Sequence, residues 1–225
     1  METTAICDIR LKKNAPMIDG AKFNYDYSSL EKSYSDISHS GAMVDGVYHY
    51  SKYEDLLEND TLDILFVCLP NYLASEVTIA ALERGLHVFC EKPPGRTVED
   101  ILNVIKVEKE HPELKLKYGF NHRYHDSVKK VKKIIDSKKY GEVMSFRGVY
   151  GKSSIIPFDS GWRSEKKYAG GGILLDQGIH MLDLVRYFSC DYDEIYSFIS
   201  NDYWKHDVED DAFILMKSKE GQIAS

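Results

Sequence analysis

From about residue 61 to residue 120, short continuous apolar runs alternate with segments whose apolar positions recur at helical spacing. Leu62-Asp63-Ile64-Leu65-Phe66-Val67-Cys68 reads as a buried strand. Pro70-Asn71 then turns into a helix over 72–84, and Gly85 stands where a helix C-cap belongs. Leu86 to Cys90 is the next strand and Glu91-Lys92-Pro93-Pro94-Gly95 a turn. Thr97 with Asp100 three residues later signals the start of a helix over 98–110. Leu114 to Phe120 makes a third strand. Apolar strands separated by single helices predict βαβ units and a parallel sheet covered on both faces.

After Phe120 the rhythm changes. A helix over 126–137 and an alternating strand over 142–150 are followed by an irregular stretch, 152–169, and then by a glycine-rich helix start. Strands are expected near 193–200 and 209–217, with a last one beginning at Gly221. This order predicts an α+β domain on a mostly antiparallel sheet. The boundary falls near 121–125, dividing the chain into 1–121 and 122–225. The fold class expected is α/β: an incomplete Rossmann-type parallel sheet lacking its first βα unit, followed by that α+β domain. The first unit is expected to be missing because the chain opens on a strand, Thr3 to Asp8, that already ends in an acid. No G-x-G-x-x-G occurs in the sequence, whereas in a dinucleotide-binding fold that loop precedes the ribose-binding acid by about 20 residues. Taking residues 3–8 as the first strand of a shortened fold fails on the same absence. The far end, Gly221 to Ser225, reads as a strand cut midway.

The densest pattern is Gly170-Gly171-Gly172-Ile173-Leu174-Leu175-Asp176-Gln177-Gly178-Ile179-His180-Met181-Leu182-Asp183-Leu184. On a regular helix Asp176, His180 and Asp183 lie within about 60° of one another. The rest of the circumference is mainly apolar, which predicts a buried helix. Buried polar groups need partners, so the stripe must face a partner or a polar cavity. It reads as the wall of an active site.

Bulk properties narrow the field. The 225 residues allow one large domain or two small ones, and the net charge of −7 argues against a nucleic-acid partner. Four scattered cysteines without a CxxC pair fit a reduced, cytoplasmic protein better than a disulfide framework or a zinc site. His122, His125 and Asp126 lack metal-ligand spacing, and no metal is expected. No apolar run reaches the roughly 20 residues that span a bilayer, and the N-terminal residues have no signal-peptide pattern.

Cys68-Leu69-Pro70-Asn71, Glu91-Lys92-Pro93, Gly119-Phe120-Asn121-His122-Arg123, Trp162-Arg163 and the run from Gly170 to Leu184 together resemble the Gfo/Idh/MocA family of NAD(P)-dependent oxidoreductases. The resemblance covers nearly the whole chain. It implies hydride transfer between a nicotinamide cofactor and a secondary alcohol of a sugar, inositol or nucleotide-sugar. Lys92, Asp176 and His180 would be the catalytic groups, with Lys92 touching both the nicotinamide ribose and the substrate hydroxyl. Leu69, Pro70, Asn71, Glu91 and Lys92 would meet the cofactor, together with Asp8 and Arg10 at the ribose end. Asp8 favours NAD slightly, while Arg10 would accommodate the 2′-phosphate of NADP. Asn121, Arg123, Trp162 and Arg163 would line the substrate site. Arg123 and Arg163 are otherwise ion-paired structural residues, Trp162 a core or interface residue, and Asp183 a structural partner for a backbone group or an arginine. Ala74 departs from the family, which usually has a histidine there.

The chemistry can also be argued from residue types. Oxidising an alcohol requires a base for the hydroxyl proton, and an imidazole titrating near about 6.5 suits that task at neutral pH. A lysine ammonium holds its proton well above neutral pH, so Lys92 reads as the donor that orients the hydroxyl. Asp176 reads as the electrostatic and positional partner of both. A chain without the first βα unit is expected to bind dinucleotide weakly or not at all, and to be a fragment of a dehydrogenase. The alternative is a non-catalytic sugar-binding or scaffolding relative, against which the retention of Lys92, Asp176 and His180 argues. The resemblance also implies a homo-oligomer, paired through the second domain's sheet.

Overall fold

The computed structural model describes residues 5–7, 42–44, 47–151 and 161–225. Asp8 and Arg10 lie outside the described residues.

The described residues form three sheets. In the first, β1 (Ala5–Cys7) runs parallel to β3 (Val47–Tyr50), and β2 (Ala42–Val44) pairs antiparallel with β3. The second holds β4 (Ile64–Val67), β5 (His87–Cys90) and β6 (Leu116–Tyr118), all parallel, with Val67 opposite Cys90 and Cys90 opposite Tyr118. Helices α2 (Asn71–Glu83) and α3 (Val98–Glu110) make the crossovers, and the short α1 (Tyr53–Leu57) precedes β4. This is the βαβ order read from the apolar runs. All three parallel strands end at one edge, which places residues 68–71, 91–95 and 119–121 together.

Local chemistry sets the boundaries. The Thr97 hydroxyl accepts the Asp100 N–H at 3.2 Å while the Asp100 carboxylate accepts the N–H groups of Thr97 and Arg96, closing the expected capping box. Gly85, at φ +80°, follows the end of α2 in the left-handed region that favours glycine. The core sits between these layers: Ala74, Val77, Ala81 and Leu82 of α2 pack with Val67, Val88 and Cys90 of the sheet. Each fully buried Val or Leu side chain stabilises the fold by about 1.5–3 kcal/mol.

The second half begins with a 3₁₀ turn, Asn121–Tyr124, and helix α4 (Asp126–Asp136). Its sheet has the order β7-β10-β9-β8, with β7 (Ser145–Phe146), β8 (Glu194–Ser200), β9 (Asp211–Lys217) and β10 (Ile223–Ala224). Strand β7 is far shorter than the 142–150 expected. It is a strand only where β10 hydrogen-bonds to it, through Ser145 and Phe146. Helix α5 (Lys166–Ala169) leads into the glycine run, and helix α6 (Ile179–Phe188) packs Leu182 and Val185 near Met216, Ala224 and Phe146.

The polar stripe does not sit on one regular helix. Leu174–Gly178 is a π-helical turn ahead of α6, and within α6 only His180 and Val185 are buried. Within this turn the Asp176 carbonyl accepts a hydrogen bond from Lys92, a side chain of the other half of the molecule.

Candidate active site

Two glycines carry the chain into the site. Gly170, at φ +85°, lies directly against the backbone of Arg96, and a Cβ at Gly172 would collide with the carbonyl of Glu209. Only a residue without a side chain passes through that gap. Glu209 then holds the next two residues: its carbonyl accepts the Ile173 N–H at 2.9 Å and its Oε1 the Leu174 N–H at 3.1 Å. The π-turn that presents Asp176 is thus pinned at its start, Leu174, by a residue 35 positions downstream.

Lys92 follows the end of β5 and reaches across to this turn. Its Nζ donates to the Asp176 carbonyl at 2.6 Å and to Asp176 Oδ1 at 3.0 Å. Gln177 Nε2 donates to the other carboxylate oxygen at 2.8 Å. Burial on its own would raise the Asp176 carboxyl. The charge of Lys92, the hydrogen bonds from Gln177 and Lys92, and the charge of Arg163 outweigh it and leave the group below its ordinary value. Asp176 is therefore an anion at neutral pH. An ammonium has three N–H donors, and Asp176 takes two of those on Lys92.

His180 is 6% exposed, and its Nδ1 is enclosed without a hydrogen-bond partner among the described residues. Its ring is surrounded by other rings: His122 at 4.1 Å between centroids, Phe120 edge-on at 6.3 Å and Tyr150 at 6.3 Å. Burial, followed by the charges of His122 and Lys92, pushes its pKa down to about 4, against the opposing pull of Asp176 and Asp183. At neutral pH it is an uncharged imidazole able to accept a proton, but a weaker base than the near-neutral group expected from its residue type, because burial and the neighbouring positive charges disfavour the cation.

The neighbouring groups have defined places. Both carboxylate oxygens of Asp183 are held by Arg123, with Nε on Oδ2 at 2.7 Å and a terminal nitrogen on Oδ1. The same guanidinium lies 5.0 Å from the Tyr187 ring. Arg123, expected to orient a substrate, thus spends its planar fork on a structural carboxylate. Asn121 Oδ1 lies 3.0 Å from His122 Nδ1. Trp162 and Arg163 share the 3₁₀ turn Gly161–Ser164, with the guanidinium 4.3 Å from the indole. Arg163 is near enough to act on Asp176, as its effect on that carboxyl records.

On the cofactor side, Leu69, Pro70 and Asn71 lie between β4 and α2. Asn71 is buried and donates to the Ala169 carbonyl at 2.7 Å, fastening the start of α2 to α5. Arg96 donates to the Lys167 carbonyl at 2.8 Å, and the Tyr72 and Tyr168 rings meet at 5.1 Å. These contacts hold the two halves of the site in register. Glu91 accepts the Lys92 N–H at 3.3 Å, and its carboxylate occupies the space that a Cβ on Gly119 would take. Glu91 and Lys92 thus both follow the end of β5 at the carboxyl edge of a parallel sheet, where such sheets bind ligands. A carboxylate acceptor and an ammonium donor are the group types that ribose hydroxyls bind. A separate groove of about 640 Å³ is lined by Tyr150 and by residues of α6 and the third sheet, among them Met181, Ile214 and Met216, and by none of Lys92, Asp176 and His180.

The sequence pattern did not single out Glu209, and it gave His122 no role. Glu209 sits in an acidic cluster before a strand, and nothing in that spacing connects it with Leu174.

Comparison with known proteins places both halves. Residues 2–120 match the model of an oxidoreductase family with an NAD-binding Rossmann fold, and residues 128–225 that of the GFO/IDH/MocA C-terminal domain. A levoglucosan dehydrogenase from Pseudarthrobacter phenanthrenivorans is 30% identical over 152 residues, covering 67% of this chain and 39% of that protein. Among solved structures, a levoglucosan dehydrogenase in complex with NADH and levoglucosan superposes with a TM-score of 0.73 at 28% identity, over 78% of this chain and 50% of that one. A myo-inositol 2-dehydrogenase from Lactobacillus plantarum gives a TM-score of 0.74 at 28% identity, over 99% of this chain and 60% of its own. The chain spans about two fifths of the curated relative's length.

Proposed function

The chain belongs to the Gfo/Idh/MocA family of oxidoreductases, and from that membership we propose that its site serves hydride transfer between a nicotinamide cofactor and a secondary alcohol of a sugar, inositol or nucleotide-sugar. The observation that carries the reading is the pair of contacts from Lys92, at the end of a parallel strand, to Asp176, one turn before the buried neutral His180.

In this reading the third N–H of Lys92 is directed to the substrate hydroxyl oxygen and fixes its position. His180 accepts the hydroxyl proton as the C–H bond breaks. Asp176 holds the ammonium by two oxygens and offsets the positive charge that His180 acquires. Leu69, Pro70, Asn71, Glu91 and Lys92 would hold the nicotinamide end, with Glu91 and Lys92 on the ribose hydroxyls. When bound, that group supplies the hydride acceptor. Trp162 and Arg163 complete the substrate side, and Asn121 and Arg123 act from behind it. The substrate class follows the names of the relatives, which act on levoglucosan and on myo-inositol.

The test uses the full-length protein with NAD or NADP and a panel including levoglucosan and myo-inositol, following the appearance of reduced nicotinamide. Turnover is expected with at least one pair. His180→Ala should lower kcat by about a hundredfold or more. Near-normal turnover in that variant would remove His180 from the base role. Sugar binding without turnover under every condition would favour a non-catalytic binding protein instead.

A further inference from the structure

We propose that His122 is a positioning residue for His180: its ring, itself fixed by Asn121 and Tyr150, stands in for the hydrogen bond that ordinarily orients a catalytic imidazole. The inference rests on reading His180 as the base.

A base histidine usually donates its second ring N–H to a carboxylate or carbonyl, and that bond sets both tautomer and orientation. His180 lacks one, since Nδ1 is buried without a partner among the described residues. Neither nearby carboxylate supplies it. Asp183 gives both oxygens to Arg123, and Asp176 gives one to Lys92 and the other to Gln177. What meets the His180 ring instead is the His122 ring, at 4.1 Å and 39°, with Phe120 edge-on at 85° behind it.

His122 is suited to that task because both of its nitrogens are held. Nδ1 lies 3.0 Å from Asn121 Oδ1, and Nε2 lies 3.2 Å from the Tyr150 hydroxyl. An amide oxygen only accepts, so Nδ1 carries a proton, and in the neutral ring Nε2 accepts from Tyr150. His122 is held below the ordinary histidine value by burial and by the charges of His125 and Lys92, so at neutral pH the ring is uncharged and both contacts fix its orientation. The 3₁₀ turn Asn121–Tyr124 then supports α6 at two points one turn apart: His122 under His180, and Arg123 on Asp183.

The same geometry limits the charge of the pair. Two imidazolium rings in contact repel, so the pair tends to hold at most one proton. The groups facing it are Lys92 and His125 on the positive side and Asp176 and Asp183 on the negative side, with Asp183 already paired to Arg123. Tyr150 adds a hydroxyl.

The test needs neither cofactor nor turnover. Imidazole ¹⁵N and ¹³C resonances of this chain are followed through a pH titration in the parent and in His122→Ala, His122→Phe, Asn121→Ala and Tyr150→Phe. In the parent, His180 should be a single neutral tautomer between about pH 5 and 8. His122→Ala should give exchange-broadened, mixed-tautomer signals and raise the His180 midpoint by about one unit. His122→Phe should restore the sharp single tautomer, since it returns a ring face, while leaving the midpoint raised. If His122→Ala does not fold, Asn121→Ala and Tyr150→Phe, which only release the His122 ring, should broaden His180 in the same direction. Unchanged His180 tautomer, line width and midpoint in every folded variant would overturn the proposal. Coupling between the rings alongside normal turnover in His180→Ala would instead leave the pairing standing and remove the base role.

Discussion

A neutral, buried imidazole ties the stability of this chain to pH. His180 titrates at about 4 in the folded state against about 6.5 for a free histidine, so between those values the folded form binds fewer protons than the unfolded one. Its contribution is complete above pH 6.5 and is lost as pH falls toward 4, by on the order of 3 kcal/mol. Urea midpoints measured across that window should fall with acidification, and His180→Gln should flatten most of the slope. His122 is shifted the same way, by burial and then by His125 and Lys92, and accounts for a remaining part. The depressed Asp176 carboxyl acts only below that window, since its stabilising charge is lost as pH falls under the ordinary carboxylate value. The Lys92–Asp176 pair, 15% and 19% exposed, belongs to the same scale. Removing one partner leaves a largely buried charge alone, so Lys92→Met should destabilise by about 3 kcal/mol. Lys92→Met with Asp176→Leu should recover part of that loss in a double-mutant cycle read by denaturant titration.

The elements were legible where one physical signal governed them. Apolar runs and turn residues marked β4, β5 and β6, and Thr97 with Asp100 marked the start of α3 to the residue. The short β7 was not legible, because its strand character comes from pairing with β10 rather than from its own alternation. The π-turn was not legible either. Periodicity assumes one residue angle throughout, and here the turn is fixed by external partners: Lys92 on the Asp176 carbonyl and Glu209 at the turn's start. Glu209→Ala strips the Leu174 N–H of its acceptor and should cost about 1–2 kcal/mol. Glu209→Gln keeps an oxygen at that position and should recover most of it in thermal unfolding. Gly172→Ala collides with the Glu209 carbonyl and should destabilise by about 1–3 kcal/mol while displacing Asp176 from Lys92.

At the scale of the whole molecule, the site is a seam. Asn71 on Ala169, Arg96 on Lys167 and Lys92 on Asp176 join elements that are 98, 71 and 84 residues apart in sequence. The face of the third sheet turned away from α6 is also conspicuous. Tyr196 and Phe198 lie opposite Leu215 and Phe213, and these four side chains are 50–82% exposed. Contiguous apolar surface of this kind marks a contact site. The homo-oligomer that the family resemblance implies would use that face, in which case Phe198→Asp with Phe213→Asp should shift sedimentation toward the monomer without changing far-ultraviolet circular dichroism. An unchanged association state would remove the face as the contact.

By itself the sequence determined the succession of apolar strands and helices, the change of rhythm after Phe120, and the residue types that alcohol oxidation needs at Lys92, Asp176 and His180. Those are properties of neighbouring residues, written in periodicity and turn chemistry. Only the tertiary structure decided what each polar group does. Arg123 has its guanidinium on Asp183 because α6 brings that carboxylate to it, and Asn121 meets His122 rather than open space. His122 has a role because His180, 58 residues away, lies against its ring. A polar side chain has several possible partners, and local spacing does not choose among them; that choice is made when packing fixes which groups are left together out of water.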